Sequence, residues 1–375
     1  MKGAMLYVNA GKGHYIPAKA LADSFLKTGH EAIVEDLFKV LDAPFWEFFC
    51  KYDWRFLLHH PRLEPFVHSL TDSRFNAFLI RMQGDRKKYI SVFQAWYEKN
   101  KPDFIVSTNF IGGIVLPGIV RNLGLNLPVY QYCADVFDTP LVGVSPTLDK
   151  MYIPTELGKQ NAMRKGQPEE TLSICPFPLR TQFENHSNAS KTEARKQLSL
   201  PDKFTILCSL GGEGIGSTRL LYELARADID CQVVVIGGQS KSTAKAFERF
   251  SASHPSFPVY RRGFVDNVQD YLAACDIQVG KAGANAVMEA IYMHRPFIVT
   301  EVLYAFRASL DFLDHHAVGW GENDVRKQVE IIKEYQHSAA LREKVQDAFD
   351  NLPITFGSDL FCNQIISDVR KFFDR

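Results

Sequence analysis

Three glycine-rich turns hold the residues whose types and spacing could do chemistry. The first, Ala10-Gly11-Lys12-Gly13-His14, follows a short apolar run and precedes a helical pattern. Glycines such as Gly11 and Gly13 let a backbone approach a ligand closely, and a helix N-terminus offers N–H donors. An uncharged imidazole at that position, at the positive end of the helix dipole, can take the proton of an attacking hydroxyl. His14 is therefore a candidate general base, or else a side chain that only hydrogen-bonds the turn. A dinucleotide fingerprint would need a third glycine at position 16, where the chain has Ile16 and then Pro17, although Glu35 stands about where a ribose-binding acid would.

The second turn, Gly211-Gly212-Glu213-Gly214-Ile215-Gly216-Ser217-Thr218, nearly spells a P-loop. Ser217 occupies the place of the phosphate-binding lysine, which argues against nucleoside triphosphate hydrolysis. Such a loop still suits a diphosphate held by backbone amides, or a tight turn that binds nothing. The third turn runs Lys281-Ala282-Gly283-Ala284-Asn285 and reaches Glu289 about two helical turns later. Gly283 would open a helix whose amides take a phosphate, and Glu289 could accept both hydroxyls of a ribose or be a solvated helix residue.

The elements that must position these turns alternate between short β-rich and helical runs, the pattern of parallel sheets with crossover helices. Strands are expected at Met5–Asn9, Ala32–Asp36, Phe104–Thr108, Val129–Cys133, Met151–Pro154 and Ser173–Cys175, with a helix over Pro17–Lys27. Residues 181–203 are polar and break the alternation, so they read as a linker with a short helix around Glu193–Leu198. Strands resume at Thr205–Leu210, Gln232–Gly237, Val259–Phe264, Ile277–Gly280 and Phe297–Thr300, and Gly357–Phe373 reads as a terminal helix. The expected domains are 1–180 and 204–356, each Rossmann-like, with helix 357–375 closing the chain.

Composition sets the class. The 375 residues are 46% hydrophobic and 23% charged, which fits a globular protein of two domains. Forty-three basic residues balance forty-three acidic ones, so no general attraction to nucleic acid is expected. Seven scattered cysteines with no C-x-x-C pair argue against a zinc ribbon or a disulfide framework and fit a reducing cytoplasm. The uncharged stretch 104–120 contains polar residues, glycines and Pro117, and reads as strand and buried helix rather than a membrane span.

Residues 38–93 stand apart. They carry thirteen aromatics, among them Trp46, Phe48, Phe49 and Trp54, with nine basic residues against six acidic. Aromatics interleaved with Arg55, Arg62, Arg74, Arg81 and Arg86 suit helices lying in a lipid interface, rings at headgroup depth and cations on anionic lipid. They would equally suit a helical insertion packed on the sheet.

The ordered series Asn9-Ala-Gly-Lys-Gly-His14, Lys101-Pro102-Asp103-Phe104-Ile105, Ala134-Asp135, Pro154-Thr155-Glu156, Pro176-Phe177-Pro178-Leu179-Arg180, Gly211-Gly212-Glu213-Gly214 and Gly263-Phe264-Val265 through Glu289-Ala290 resembles one family. It is that of the glycolipid glycosyltransferases, including plant monogalactosyldiacylglycerol synthases and bacterial diacylglycerol glucosyltransferases. A more distant likeness is to the muropeptide N-acetylglucosaminyltransferase of cell-wall synthesis. The resemblance implies an α/β GT-B fold, two Rossmann-like domains facing a central cleft. It also implies inverting transfer of a hexose from a UDP-sugar to a lipid acceptor such as diacylglycerol, with no cofactor and no catalytic metal.

By position, uracil would meet the backbone at Phe264–Val265, ribose would meet Glu289, and the diphosphate would meet Gly211–Gly214 and Gly283, Ala284 and Asn285. Lys281 could help neutralise the leaving UDP. His14 and Asp135 match the family's cleft histidine and acid, either of which could be the base. Segment 38–93 falls where the family places its membrane and acceptor region, implying peripheral association with the cytosolic face of a membrane.

One departure bears on the sugar. Relatives carry a Gly-Gln-Glu-x-x-Asn type loop after the strand at 297–300, whereas here Glu301-Val302-Leu303-Tyr304-Ala305-Phe306-Arg307 follows. The hexose stays open between glucose, galactose, N-acetylglucosamine and a uronic acid, and Arg307 would favour a carboxylated one. Two other readings remain: a UDP-sugar epimerase on the same architecture, and a nucleotide-sugar or lipid-binding protein that has lost catalysis.

Overall fold

A computed structural model describes the chain apart from residues 10–11, 60–62, 185–189, 211–217, 239–240, 254, 282, 302–306 and 375. Side chains at 53–59, 64, 184, 242 and 301 are likewise outside the description. The chain forms two compact units, Met1–Thr181 with Pro353–Arg375, and Gln182–Leu352.

The first unit is built on a six-stranded parallel sheet of β1 (Lys2–Tyr7), β2 (Glu31–Asp36), β3 (Phe104–Ser107), β4 (Val129–Tyr132), β5 (Lys150–Ile153) and β6 (Leu172–Ile174). Its order is β2-β1-β3-β4-β5-β6. The inner strands are buried, β3 and β4 throughout and β1 over residues 3–6, as strands covered by helices on both faces must be. The order reverses between β1 and β3, so the crevice outside their carboxyl ends is where such a sheet binds ligands. Helix Phe110–Asn122 lies close over β3 and β4 because Gly112 and Gly113 leave no side chain against Ser107 and Gln131.

The second unit repeats the design with β7 (Thr205–Ser209), β8 (Gln232–Ile236), β9 (Val259–Gly263), β10 (Ile277–Lys281), β11 (Phe297–Glu301) and β12 (Gly319–Gly321). All pairs are parallel, in the order β12-β11-β10-β7-β8-β9, and the reversal falls between β7 and β10. β12 has only three residues, Gly-Trp-Gly, too short for a periodic signal. The two Rossmann-like halves expected from the alternation are present.

Three boundaries differ from the sequence reading. The first helix spans Lys12–Lys27, five residues earlier than expected, and Pro17 lies inside it. Proline lacks the N–H that would bond the carbonyl four residues back, which loosens only the opening turn there. The 181–203 stretch is not a detached linker, since helix Lys191–Gln197 belongs to the second unit. Arg195, 7% exposed, donates to Asp202, Asp276 and the Ala274 carbonyl, and Lys191 donates to Asp276. The terminal helix Ser358–Phe373 returns to the first unit, where Asp359 accepts from Ser24 and Lys27 and Asp368 accepts from Tyr152.

Between β2 and β3 the chain runs as helices, including Pro44–His59, Glu64–Thr71, Arg74–Arg81 and Lys87–Asn100. The last packs Phe93 and Tyr89 into the core of the unit. The first three present large apolar side chains to solvent: Phe45, Phe48, Phe49, Tyr52, Phe66, Leu70, Phe75 and Phe78 are all exposed, Phe48 and Phe75 at 68%. Trp46 departs from the interfacial expectation, because it is half-buried and packs against the core. The Trp54 side chain lies outside the described residues. Among the described residues, no helix is long and apolar enough to cross a membrane.

Candidate active site

His14 sits in the first turn of helix Lys12–Lys27, beyond the end of β1, and Thr108 and Asn109 follow the end of β3. The reversal of strand order therefore brings together residues about a hundred positions apart. The Thr108 hydroxyl donates to the His14 carbonyl at 2.8 Å, and the Thr108 carbonyl lies 2.8 Å from Nδ1 of the ring. A carbonyl only accepts, so Nδ1 is the protonated nitrogen. Nε2 lies 3.0 Å from the Asn109 amide nitrogen. Asn109 is also the N-cap of helix Phe110–Asn122, its Oδ1 accepting from the Ile111 N–H at 2.9 Å. In the sequence Asn109 is one of the polar residues of the uncharged stretch 104–120 and carries no functional assignment. The signal that could have found it is an Asn immediately before an apolar helical run, the N-cap pattern.

Asp135, on the loop after β4, shares this neighbourhood. Part of its side chain meets solvent. The protein packed round it still withdraws enough water to raise its carboxyl above the usual aspartate range, a rise that a proton on both nitrogens of His14 would oppose. Asp138 adds to the rise as a like charge, and Lys165 and His68 oppose it. Lys165 donates to Asp138 at 2.5 Å and to the Thr139 carbonyl at 2.7 Å, which holds this loop in place. The loop is also tied to the aromatic helices: Asp72, which ends helix Glu64–Thr71, accepts from the Val142 N–H at 2.7 Å. A base candidate, an acid with a raised carboxyl and an exposed apolar helix set thus belong to one unit. Gly13 meets open space where a side chain would stand. Gly11 lies outside the described residues, and Glu35, which stood where a ribose-binding acid would, is engaged by the Trp96 indole N–H at 2.7 Å.

In the second unit Gly211, Gly212, Glu213 and Gly214 lie outside the described residues. Gly283 is the N-cap of helix Ala284–Tyr292 and supplies no side-chain cap to its first turn, which contains Ala284 and Asn285. A side chain at Gly283 would meet nothing within 4 Å, so the helix end has space before it. Glu289 is only 8% exposed, which removes the solvated-helix alternative for its carboxylate. Lys281 ends β10 at a register shift. Gly263 takes a left-handed φ of 68° at the end of β9, turning the chain so that Phe264 is exposed, with Val265 half-exposed beside it. Arg307 opens helix Arg307–His315 and is exposed, whereas the preceding 302–306 lie outside the described residues. Among the described residues no three His, Cys, Asp or Glu side chains cluster as a metal site, and none of the seven cysteines is in a disulfide.

Comparison with known proteins bears on both units. Residues 218–351 match the family described as the glycosyltransferase family 28 C-terminal domain. The processive diacylglycerol beta-glucosyltransferase of Bacillus licheniformis is 27% identical over 203 residues, covering 54% of this chain and 52% of that protein. A probable chloroplastic monogalactosyldiacylglycerol synthase of Nicotiana tabacum is 25% identical over 331 residues, covering 80% of this chain and 58% of that protein. The chain thus spans a little over half the length of these relatives. In fold it is similar to a glycosyltransferase from Rickettsia africae, with a TM-score of 0.62 at 11% identity over 100% of this chain and 99% of that one. It is also similar to UDP-GlcNAc 2-epimerase from Neisseria meningitidis bound to UDP-GlcNAc, with a TM-score of 0.64 at 13% identity over 99% and 100% of the two chains. The two parallel sheets are those of a GT-B fold, and residues 218–351 of the second unit match the glycosyltransferase family 28 C-terminal domain, on a chain similar to a diacylglycerol glucosyltransferase and a monogalactosyldiacylglycerol synthase.

Proposed function

We propose that the chain is an inverting glycosyltransferase that moves a hexose from a UDP-sugar to the hydroxyl of a membrane lipid, diacylglycerol in the first instance. The observation that carries this reading is the set of exposed aromatic side chains on Pro44–His59, Glu64–Thr71 and Arg74–Arg81, in the same unit as His14 and Asp135. A purely water-soluble acceptor gives no reason for such a surface, whereas a lipid acceptor requires the enzyme to work at an interface. Exposed Arg74, Arg86, Lys87 and Lys88 beside it suit anionic headgroups. The relatives' names supply the acceptor class, and the family 28 domain supplies the transfer chemistry.

In this mechanism the acceptor oxygen attacks the anomeric carbon from the face opposite the nucleotide. The bond from that carbon to the phosphate oxygen breaks, and UDP leaves with the bonding electrons. The hydroxyl proton passes to Nε2 of His14 or to Asp135. The amides at the start of helix Ala284–Tyr292 and the Lys281 ammonium stabilise the charge growing on the departing diphosphate. Glu289 holds the ribose, and Phe264–Val265 meet the uracil. No metal or other cofactor takes part in this scheme.

Labelled UDP-glucose, UDP-galactose, UDP-N-acetylglucosamine and UDP-glucuronate, each offered with diacylglycerol vesicles, test it. A glycolipid of inverted anomeric configuration is the expected product. An epimerised nucleotide sugar formed without lipid would replace this reading with an epimerase, and UDP binding without any turnover would replace it with a binding protein. Flotation with anionic and neutral vesicles tests the surface. Failure of anionic vesicles to retain the protein at low salt removes the membrane role.

A further inference from the structure

We propose that Asn109 is a positioning residue that decides which nitrogen of His14 can receive a proton, an inference that rests on His14 acting as base in the reaction above. The argument is one of donors and acceptors. The Thr108 carbonyl, 2.8 Å from Nδ1, requires a proton there. The Asn109 amide cannot turn round at will, because its oxygen is committed to the Ile111 N–H at 2.9 Å as the helix cap. Its NH2 group therefore faces Nε2, at 3.0 Å, and donates to that nitrogen's lone pair. A proton on Nε2 would set N–H against N–H. Two fixed neighbours thus write the ring as the Nδ1–H tautomer with the lone pair on Nε2.

Neither neighbour is a carboxylate. Asp135 is the carboxyl coupled by charge to His14, and Asp138, Lys165 and His68 act on that same carboxyl. An acceptor hydroxyl takes over from the amide as donor to Nε2, finding the ring already in the tautomer it needs. Asn109 thereby keeps the base turned and ready while the site is empty, and its cap hydrogen bond keeps the amide from following the substrate.

Asn109→Asp separates this role from capping. Aspartate caps a helix as well as asparagine does, so the Ile111 bond is retained. Its second oxygen accepts, however, and so draws a proton onto Nε2. The test uses the full chain labelled with ring-15N histidine, read by long-range 1H–15N correlation, with His14 assigned by its loss in His14→Gln. The wild type is expected to show a protonated Nδ1 and a bare Nε2. Asn109→Asp is expected to show both nitrogens protonated near neutral pH, with kcat for glycosyl transfer down at least about 100-fold and the donor KM within about twofold. Asn109→Ser, a shorter cap that cannot reach the ring, is expected to give a mixture of tautomers and an intermediate kcat.

A wild-type Nε2–H tautomer, or an unchanged His14 ring in Asn109→Asp, overturns the proposal. A doubly protonated ring with unchanged kcat overturns it too, because His14 is then not the base. The ring signals are read without substrate, so they judge Asn109 even if no lipid proves to be an acceptor.

Discussion

The two units build the same kind of parallel sheet and spend the chain beyond the second strand differently. In the second unit β9 pairs with β8 and extends the sheet to three strands on that side of the reversal. In the first unit the sheet stops at β2, and the described residues between β2 and β3 run mostly as helices instead. A third strand there would have needed its own covering layer. Helices can bury one face, as Phe93 and Tyr89 do, and leave the next helices' aromatics outward. The crevices differ in the same sense. That of the first unit holds an imidazole, an amide and a carboxyl, groups suited to managing a hydroxyl proton. That of the second offers a helix end without a side-chain cap, suited to phosphate. Equal architecture carries unequal chemistry, and the side chains at the reversal decide which.

Substitutions in the two crevices should break the reaction in different ways. His14→Ala is expected to lower kcat by about 10²–10⁴-fold with UDP affinity retained, measured by transfer assay and calorimetry. Glu289→Ala should do the reverse, weakening UDP binding by at least about tenfold while kcat at saturating donor falls less. Equal loss of binding in both would erase the division of labour.

Arg195→Met should cost the second unit about 1.5–3 kcal/mol in urea unfolding, because it takes from Asp276 one of its two cations and leaves it Lys191 and the Thr205 N–H. A loss within error would return 181–203 to the status of a linker. The double substitution Phe48→Asp and Phe75→Asp should reduce vesicle retention by about tenfold or more without lowering the unfolding midpoint, both side chains being exposed.

A smaller effect concerns acid. The raised Asp135 carboxyl keeps its proton in the fold at a pH where the unfolded chain has lost it. Stability therefore falls as pH climbs from the ordinary aspartate range through the folded value, and the loss persists above it. Asp135→Asn should raise the urea midpoint at pH 7, and the gain should vanish below about pH 4. Least of all, Lys27→Ala should cost under about 1 kcal/mol, since its pair with Asp359 is solvent-exposed.

Much of this was legible in the residues. Strand and helix alternation gave both sheets, because a buried parallel strand is an apolar run and its crossover helix is periodic. His14 and Asp135 are singled out as candidates by position, and the structure brings them within electrostatic reach of each other. What the sequence did not show is set by contacts over long separations. Asn109 and Thr108 acquire meaning only when β3 lies beside β1. Arg195 looks like a solvated helix residue until Asp276 is seen beneath it. Trp46 reads as one more aromatic of an exposed set, yet the turn of its helix points it inward. The terminal helix carries no mark of which unit it joins, since Tyr152 and Ser24, its partners, lie hundreds of residues upstream.

That return of residues 353–375 to the first unit makes the second an insertion within the first. During synthesis on the ribosome, the inserted unit can finish folding while its host still lacks Phe361, Ile365 and Val369, all fully or nearly buried there. A fragment ending at residue 181 would expose the seat of that helix, whereas one spanning 182–352 keeps its own sheet intact. Attempts to produce the halves separately should favour the inner one, and the outer one should need the helix supplied as a joined peptide.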